Sequence, residues 1–382
     1  MKAHSHVVAG MPRSGIRAVM EVASKLDEVI HLEVGEPSFR TPLHIIEAAY
    51  AAARDGRTRY TNNAGTPELR RAVAARAAGR WGQPVDPAEV LVGAGAVNAI
   101  AAMLFTLVVE GDEVLIPDPG WPNYAGQITL ARGTAVHYPL RPENGYLPDL
   151  AEMDRLVTPN TKAIITNNPA NPCGSVWPRE TVAAFADWAK RHDLWVIADE
   201  IYEDLVFEGE MVPLAPFDRE RTIAVGGCSK SYAMTGWRIG WAIAPEHLVP
   251  MAGKVQEALV SCAAEVSQCA AVAALEGSQA CVAEMRDAYH RRRNLVRDIL
   301  QPAGLLPTPP QGAFYALADL RASGLSSLAA STALIEEERV ATAPGSAFGE
   351  VAEGFVRLSL ASSDEDLLTG CERIVRFVER RR

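Results

Sequence analysis

Residues 226–240 read Gly-Gly-Cys-Ser-Lys-Ser-Tyr-Ala-Met-Thr-Gly-Trp-Arg-Ile-Gly, and the rest of the chain is organised around them. A β-rich run, Thr222 to Val225, feeds the two glycines. One lysine follows, set among small residues, with Arg238 eight positions on. A lysine in a loop is ordinarily a solvated surface charge. Here Gly226, Gly227, Ser229 and Ser231 leave room beside Lys230 for a bulky partner. Tyr232, Met234, Trp237, Ile239 and Trp241 describe an apolar surround, the setting in which lysine amines become nucleophilic. Arg238 offers a planar fork suited to phosphate.

Working outward, the pattern alternates short apolar runs with helical stretches. Val90–Val92, Glu113–Pro117, Ala135–Tyr138, Ala163–Thr166, Leu194–Ala198 and Thr222–Val225 read as strands that are apolar throughout. Helices are expected at Leu43–Arg54, from Thr66 to Trp81, and at Ala96–Leu107, Gln127–Ala131, Leu150–Leu156 and Arg179–Arg191. Strands without polar alternation belong to a sheet buried on both faces. The expected fold is therefore α/β: a large domain with a mostly parallel seven-stranded sheet sandwiched by helices, plus a smaller α+β domain. Residues 1–42 are expected to form an N-terminal arm and part of the small domain, 43–285 the large domain and 286–382 the small one. The arm carries a short helix, Ile16–Leu26, and a strand ending at Gly35. After Leu248 the chain reads as helical to Leu300, with strands at Leu305–Asp319 and Phe355–Ala361.

Parallel sheets bind ligands beyond the carboxyl ends of their strands, where Asn171, Asp199 and Lys230 all fall. Asp199 follows an apolar strand, and a carboxylate there is costly unless paired. It would serve as a helix cap or as the partner of a cation, and Tyr202 stands three residues on. Asn168-Pro-Ala-Asn-Pro-Cys-Gly174 makes two Asn-Pro turns that hold an amide in place. Gly93-Ala-Gly-Ala-Val-Asn98 opens a helix. It is a weak match to a dinucleotide fingerprint, but a glycine-rich turn at a helix start presents N–H groups to phosphate. A nicotinamide-dependent dehydrogenase is the alternative this stretch leaves open. Trp121, in Pro119-Gly-Trp-Pro-Asn-Tyr124, would join the core or stack on a flat ring. Gly35 would permit a turn or a ligand's close approach. Arg357 lies in a strand where Phe355, Arg357 and Ser359 share one face, and is either an edge charge or a carboxylate clamp.

Composition narrows the field. The 382 residues carry a net charge of −10, with 48% apolar and 22% charged residues. An acidic chain disfavours nucleic acid and anionic membranes as partners. The first ten residues lack the apolar core of a secretory signal, and no run is long enough to span a membrane. Six scattered cysteines (173, 228, 262, 269, 281, 371) fit a reducing cytoplasm rather than a disulfide or metal framework. No metal site is expected.

A lysine able to form a Schiff base beside a phosphate-holding arginine describes a pyridoxal phosphate site. Together these motifs resemble the class I/II aminotransferases, the pyridoxal-phosphate superfamily related to aspartate aminotransferase. The resemblance runs from Leu32-Glu-Val-Gly-Glu-Pro37 to Val356-Arg-Leu-Ser359. It rests on Asn-Pro-x-Asn-Pro-x-Gly, Asp-x-x-Tyr and a Ser-Lys followed by arginine, in that order. The resemblance implies pyridoxal 5'-phosphate as cofactor and transamination between an L-amino acid and a 2-oxo acid by a ping-pong mechanism. A lyase, cyclase or oxidase on the same scaffold is the alternative. It implies that Lys230 bonds to the cofactor and moves the proton, that Asp199 pairs the ring nitrogen, and that Tyr202 and Asn171 hold the ring oxygen. Trp121 would stack on the ring. Ala96, Val97, Ser229 and Arg238 would bind phosphate, with Tyr60 reaching from a partner subunit of a cytoplasmic homodimer. Arg357 would clamp the substrate carboxylate, assisted by Gly35, Asn171 and Trp121. Two departures stand out: Cys173 replaces a usual threonine, and Ala96-Val97 stand where hydroxyl residues are common.

Overall fold

A computed structural model describes residues 4–11 and 15–382. The parts of the expected arm at residues 1–3 and 12–14 lie outside the described residues. In chain order the strands are β1 (Ile30–His31), β2 (Val90–Gly93), β3 (Glu113–Asp118), β4 (Thr134–Pro139), β5 (Thr161–Asn167) and β6 (Trp195–Asp199). They continue with β7 (Thr222–Gly227), β8 (Gly240–Ile243), β9 (Tyr315–Asp319), β10 (Val340–Ala341), β11 (Ala343–Pro344) and β12 (Phe355–Ser359).

Among the described residues these form three sheets. The largest has seven strands in the order β2-β8-β7-β6-β5-β3-β4. All its pairings are parallel except those of β8, which runs against both β2 and β7. The α/β class with a mostly parallel seven-stranded sheet is thus observed, with one antiparallel insertion. Because β8 reverses twice over, β2 points the same way as β7. The carboxyl ends of β2, β3, β5, β6 and β7 therefore share one edge with the start of β8.

A row of glycines marks that edge. Gly240 pairs with Gly93 on one side and Gly227 on the other. A Cβ on Gly240 would lie 2.4 Å from the Ala96 nitrogen. The bare backbone lets the start of helix Ala96–Leu107 settle directly on the strands.

The helices bury apolar stripes. In Arg179–Arg191, Val182, Phe185, Ala186, Trp188 and Ala189 face inward at helical spacing. Thr66 caps the helix Pro67–Trp81 by accepting from the Leu69 N–H at 3.4 Å, with Pro67 in its first turn.

A second sheet, β11-β12-β9, is antiparallel with β12 at its centre. Val356, Leu358 and Leu360 pack with Ile374, Phe377 and Val378 of helix Asp364–Glu379. Phe355, on the other face, joins the core that contains Leu115, Tyr138 and Trp177. That face carries Arg357, which is buried in a central strand and is not an edge charge. β1 and β10 form a short parallel pair.

Several boundaries differ from expectation. The strand expected over Leu305–Asp319 occupies only Tyr315–Asp319, because residues 307–313 turn through Pro307, Pro309 and Pro310. The helix expected from Gln127 begins at Asn123, immediately after Pro122, and the one expected at Leu150–Leu156 ends at Met153. The strand expected to end at Gly35 is only Ile30–His31, and the arm helix spans Gly15–Ala23. The run from Leu248 divides into helices Val249–Val260, Glu265–Glu276 and Ala280–Leu300. β8 was not anticipated, since four apolar residues beside the motif read as its flank. We propose that the two larger sheets mark the units expected around residues 43–285 and 286–382. Helix Ala280–Leu300 runs through the boundary between them. Among the described residues, no helix is long and apolar enough to cross a membrane.

Candidate active site

The shared edge of the large sheet opens into a cavity of about 530 Å³, which the β9–β12 sheet and the residues after β1 close from the other side. Its lining includes Gly35, Ala96, Val97, Trp121, Asn171, Asp199, Tyr202, Ser229, Lys230, Arg238 and Arg357. Eleven of the twelve residues singled out in the sequence thus meet in one space. The exception is Tyr60, which is 88% exposed and lines no part of it.

Lys230 sits three residues past β7 and is half-buried, its Nζ donating to the Gly35 carbonyl at 2.7 Å. The same ammonium lies 5.5 Å from the centre of the Phe314 ring. Asp199 closes β6 and is buried. Its Oδ2 accepts from the Tyr124 hydroxyl at 2.6 Å and its Oδ1 from the Ile201 N–H at 3.2 Å. Burial pushes this carboxyl up to about 6, against the opposing pull of Tyr124, the Ile201 N–H and the charge of Lys230. No helix follows Asp199, only turns through residue 204, so helix capping does not explain the carboxylate.

Asn171 is held by its own motif. Its N–H donates to Asn167 Oδ1 at 2.7 Å, while Asn167 Nδ2 donates to the Asp199 carbonyl at 3.0 Å. The Asn-Pro turns are thereby tied to β6. The Asn171 Oδ1 accepts from Arg357 Nη1 at 3.1 Å, and Arg357 Nη2 donates to the Glu33 carbonyl at 2.6 Å. The guanidinium carbon lies 4.4 Å from the Tyr315 ring and 4.7 Å from the Phe348 ring. Its Nε is buried and has no hydrogen-bond partner among the described residues. Burial lowers this guanidinium below its ordinary value. A guanidinium that is buried yet lines the cavity is chemically suited to receive an anion.

Tyr202 is buried, and its hydroxyl meets that of Tyr315 at 3.1 Å. Burial raises the Tyr202 phenol well above its ordinary value. Trp121 lies half-buried, edge-on to Tyr124 with centroids 5.3 Å apart.

At the sheet's glycine row, helix Ala96–Leu107 begins at Gly95, whose φ is +87° and which supplies no side-chain cap. A Cβ on Gly95 would meet Arg238 Nη2 at 2.7 Å, so the guanidinium lies against the helix start. Arg238 is itself exposed, in the left-handed region, and its Nη1 donates to the Thr235 carbonyl at 2.6 Å. An uncapped helix start and an adjacent guanidinium make an anion cradle.

The sequence reading passed over Tyr124, Tyr315, Phe348 and Glu33. Tyr124 stands three residues past Trp121 in the same Pro/Gly loop, and that spacing is its signal in the sequence. Tyr315 carries no local mark, because its contact with Arg357 joins two strands, and Phe348 carries none because it reaches Arg357 across the turn that precedes β12.

Comparison with known proteins gives the family. The family model for aminotransferase class I and II matches residues 27–374. The chain is 38% identical to an aspartate aminotransferase of Pyrococcus horikoshii, over 96% of this chain and 95% of that one. It is 39% identical to aromatic-amino-acid aminotransferase 2 of Thermococcus litoralis, over 97% and 96%. The structure of Thermus thermophilus aspartate aminotransferase with maleate superposes with a TM-score of 0.94 at 38% identity, covering 99% of this chain and 100% of that one. A chain so alike in sequence, fold and extent is an aminotransferase and belongs to the class I and II family.

Proposed function

We propose that this aminotransferase works with pyridoxal 5'-phosphate, held by residues of the cavity just described, and moves an amino group from an L-amino acid to a 2-oxo acid in two half-reactions. The single observation that carries the reading is the convergence of Lys230, Asp199 and Arg357 in one cavity. Each supplies a group that this chemistry needs, and each comes from a different strand or strand end.

The residues fit the cofactor. The buried Asp199 carboxylate lacks a cationic hydrogen-bond partner among the described residues, and a protonated pyridine nitrogen is one. The helix start at Ala96 and Val97, with Ser229 and Arg238, suits a phosphate. The cavity is within the size of ordinary ligand sites. When bound, pyridoxal phosphate supplies an electron sink for negative charge at the substrate Cα and carries the amino group between half-reactions.

The chain's own residues do the rest. Asp199 keeps a positive charge on the ring nitrogen, and Tyr124 holds the carboxylate in place. Tyr202 and Asn171 would hold the ring oxygen, and Trp121 would cover the ring. Lys230 anchors the cofactor and then takes and returns a proton at the substrate Cα. Arg357 receives the substrate carboxylate, with Gly35 leaving room beside it.

Ile16, Met20, Val34 and Val97 also line the cavity and favour an amino donor with a neutral or aromatic side chain. Aspartate outperforming alanine, methionine and phenylalanine in a donor panel overturns that preference. We also propose a homodimer. Leu43, Ile46 and Tyr50 of one helix and Leu259 and Val260 at the end of another are exposed, as is Tyr60. An apolar array of this kind fits a second copy of the chain.

Borohydride reduction of the purified protein, followed by peptide mapping, tests the assignment. The cofactor is expected on the peptide containing Lys230, and Lys230→Ala is expected to abolish amino transfer. A fully active Lys230→Ala enzyme overturns the mechanism.

A further inference from the structure

Asp118 is a buried carboxylate that the proposed reaction does not use. It is the last residue of β3, and both of its oxygens are spent on one distant segment. Oδ2 accepts from the Glu350 N–H and Oδ1 from the Val351 N–H, each at 3.0 Å. Two residues on, the Gly120 N–H donates to the Phe348 carbonyl at 2.8 Å. Segment 348–351 is therefore gripped on both sides of Gly349. A Cβ on Gly349 would lie 2.0 Å from Asp118 Oδ1, at a φ of +142° that side chains rarely adopt.

The gripped segment carries Phe348, buried with its ring against the Arg357 guanidinium. The gripping loop carries Trp121, the residue immediately after Gly120. Backbone N–H groups bonded to a carboxylate make strong, directional contacts, so this grip fixes the segment more firmly than packing alone. We propose that Asp118 is a positioning residue: it holds Phe348 against Arg357 and thereby sets the affinity of the site for a substrate carboxylate. The proposal rests on the reading of Arg357 as the carboxylate receiver.

The test uses two competitive ligands of the holoenzyme that differ only at the relevant end, 3-phenylpropionate and 3-phenylpropanol. In Asp118→Asn the amide keeps one acceptor but turns an NH2 group toward a backbone N–H. Binding of the propionate is expected to weaken by about tenfold, in keeping with one cation–ring contact, while the alcohol is unaffected. KM for an amino donor should rise similarly, with kcat changed less than about threefold. Phe348→Leu should reproduce the effect, and the double variant should be no worse than either single one. Gly349→Ala lifts the same segment from its other side, and serves if Asn at position 118 prevents accumulation of the protein. Arg357→Lys is the control. If it spares propionate binding, the reading of Arg357 fails. If it weakens propionate binding while Asp118→Asn and Gly349→Ala do not, the positioning role fails. Equal weakening of propionate and alcohol, or additive effects with Phe348→Leu, likewise overturns the proposal.

Discussion

The Tyr124 hydroxyl donates to the Asp199 carboxylate at 2.6 Å, with both side chains buried. The bond favours the ionised carboxylate, which the proposed chemistry needs opposite a ring cation. Tyr124→Phe removes a bond to a charged group, so kcat/KM is expected to fall by about tenfold near neutral pH. The deficit should be largest at acid pH and shrink as pH rises, because Asp199 then needs a higher pH to ionise. Asp199→Asn should cost several powers of ten at every pH. Paired pH–rate profiles measure both, and a deficit independent of pH removes Tyr124 from this role.

Without cofactor, Asp199 is a stability cost. Its carboxyl is pushed up to about 6 in the fold from an ordinary 3.8, so the folded chain holds the proton more tightly than the unfolded chain. Between those values the native state binds more protons, and stability falls as pH rises. The whole interval corresponds to on the order of 3 kcal/mol. Cofactor-free Asp199→Asn should match the parent below about pH 4 and exceed its stability above about pH 6. Urea unfolding across that range reads the difference. A gap that does not open with pH refutes the assignment.

A methyl group at Gly35 has nowhere to go. Its Cβ would lie 2.7 Å from the Tyr315 hydroxyl, and Tyr315 is buried against Tyr202, Phe314 and Arg357. Gly35→Ala is expected to lower kcat/KM by about tenfold or more, since an overpacked contact displaces its neighbours. Adding Tyr315→Phe removes the obstructing oxygen and should recover much of the loss. Steady-state kinetics of the two single variants and the double variant decide the point; absence of recovery means that the clash is relieved elsewhere.

In the dimer we propose, Tyr60 would reach the other subunit's phosphate. Tyr60→Ala and Lys230→Ala homodimers should both be impaired, the second completely. Their heterodimer has one site with both defects and one with neither. Activity per intact Lys230 should therefore exceed that of the Tyr60→Ala parent once subunits re-equilibrate. Purified heterodimer with no such gain would place Tyr60 within its own subunit or outside the reaction.

Much of this was legible from local pattern. Strand-end placement singled out Lys230, Asp199 and Asn171, because a buried parallel sheet exposes chemistry only at its carboxyl edge. Arg357 was ambiguous for a physical reason: strand alternation assigns a face but not what covers it. The grip of Asp118 on segment 348–351 was invisible, since a carboxylate satisfied by backbone N–H groups needs no particular side chain as partner. β8 was missed because four apolar residues after a turn carry no sign of their direction.

That reversed strand has a consequence for how the chain can change length. Three neighbouring pairs in the large sheet, β3–β4, β5–β6 and β6–β7, are joined by crossovers that travel over its faces, where added residues meet solvent. The link from β7 to β8 is different: residues 228–239 leave and re-enter the sheet at the same edge, between Gly227 and its partner Gly240. Lys230 and Arg238 both stand on this short return. Tyr232, Met234 and Ile239 of this return are buried in a core, so an insertion beside them moves Lys230 relative to Arg238, whereas the exposed Gly236 leaves room for the chain to lengthen outward.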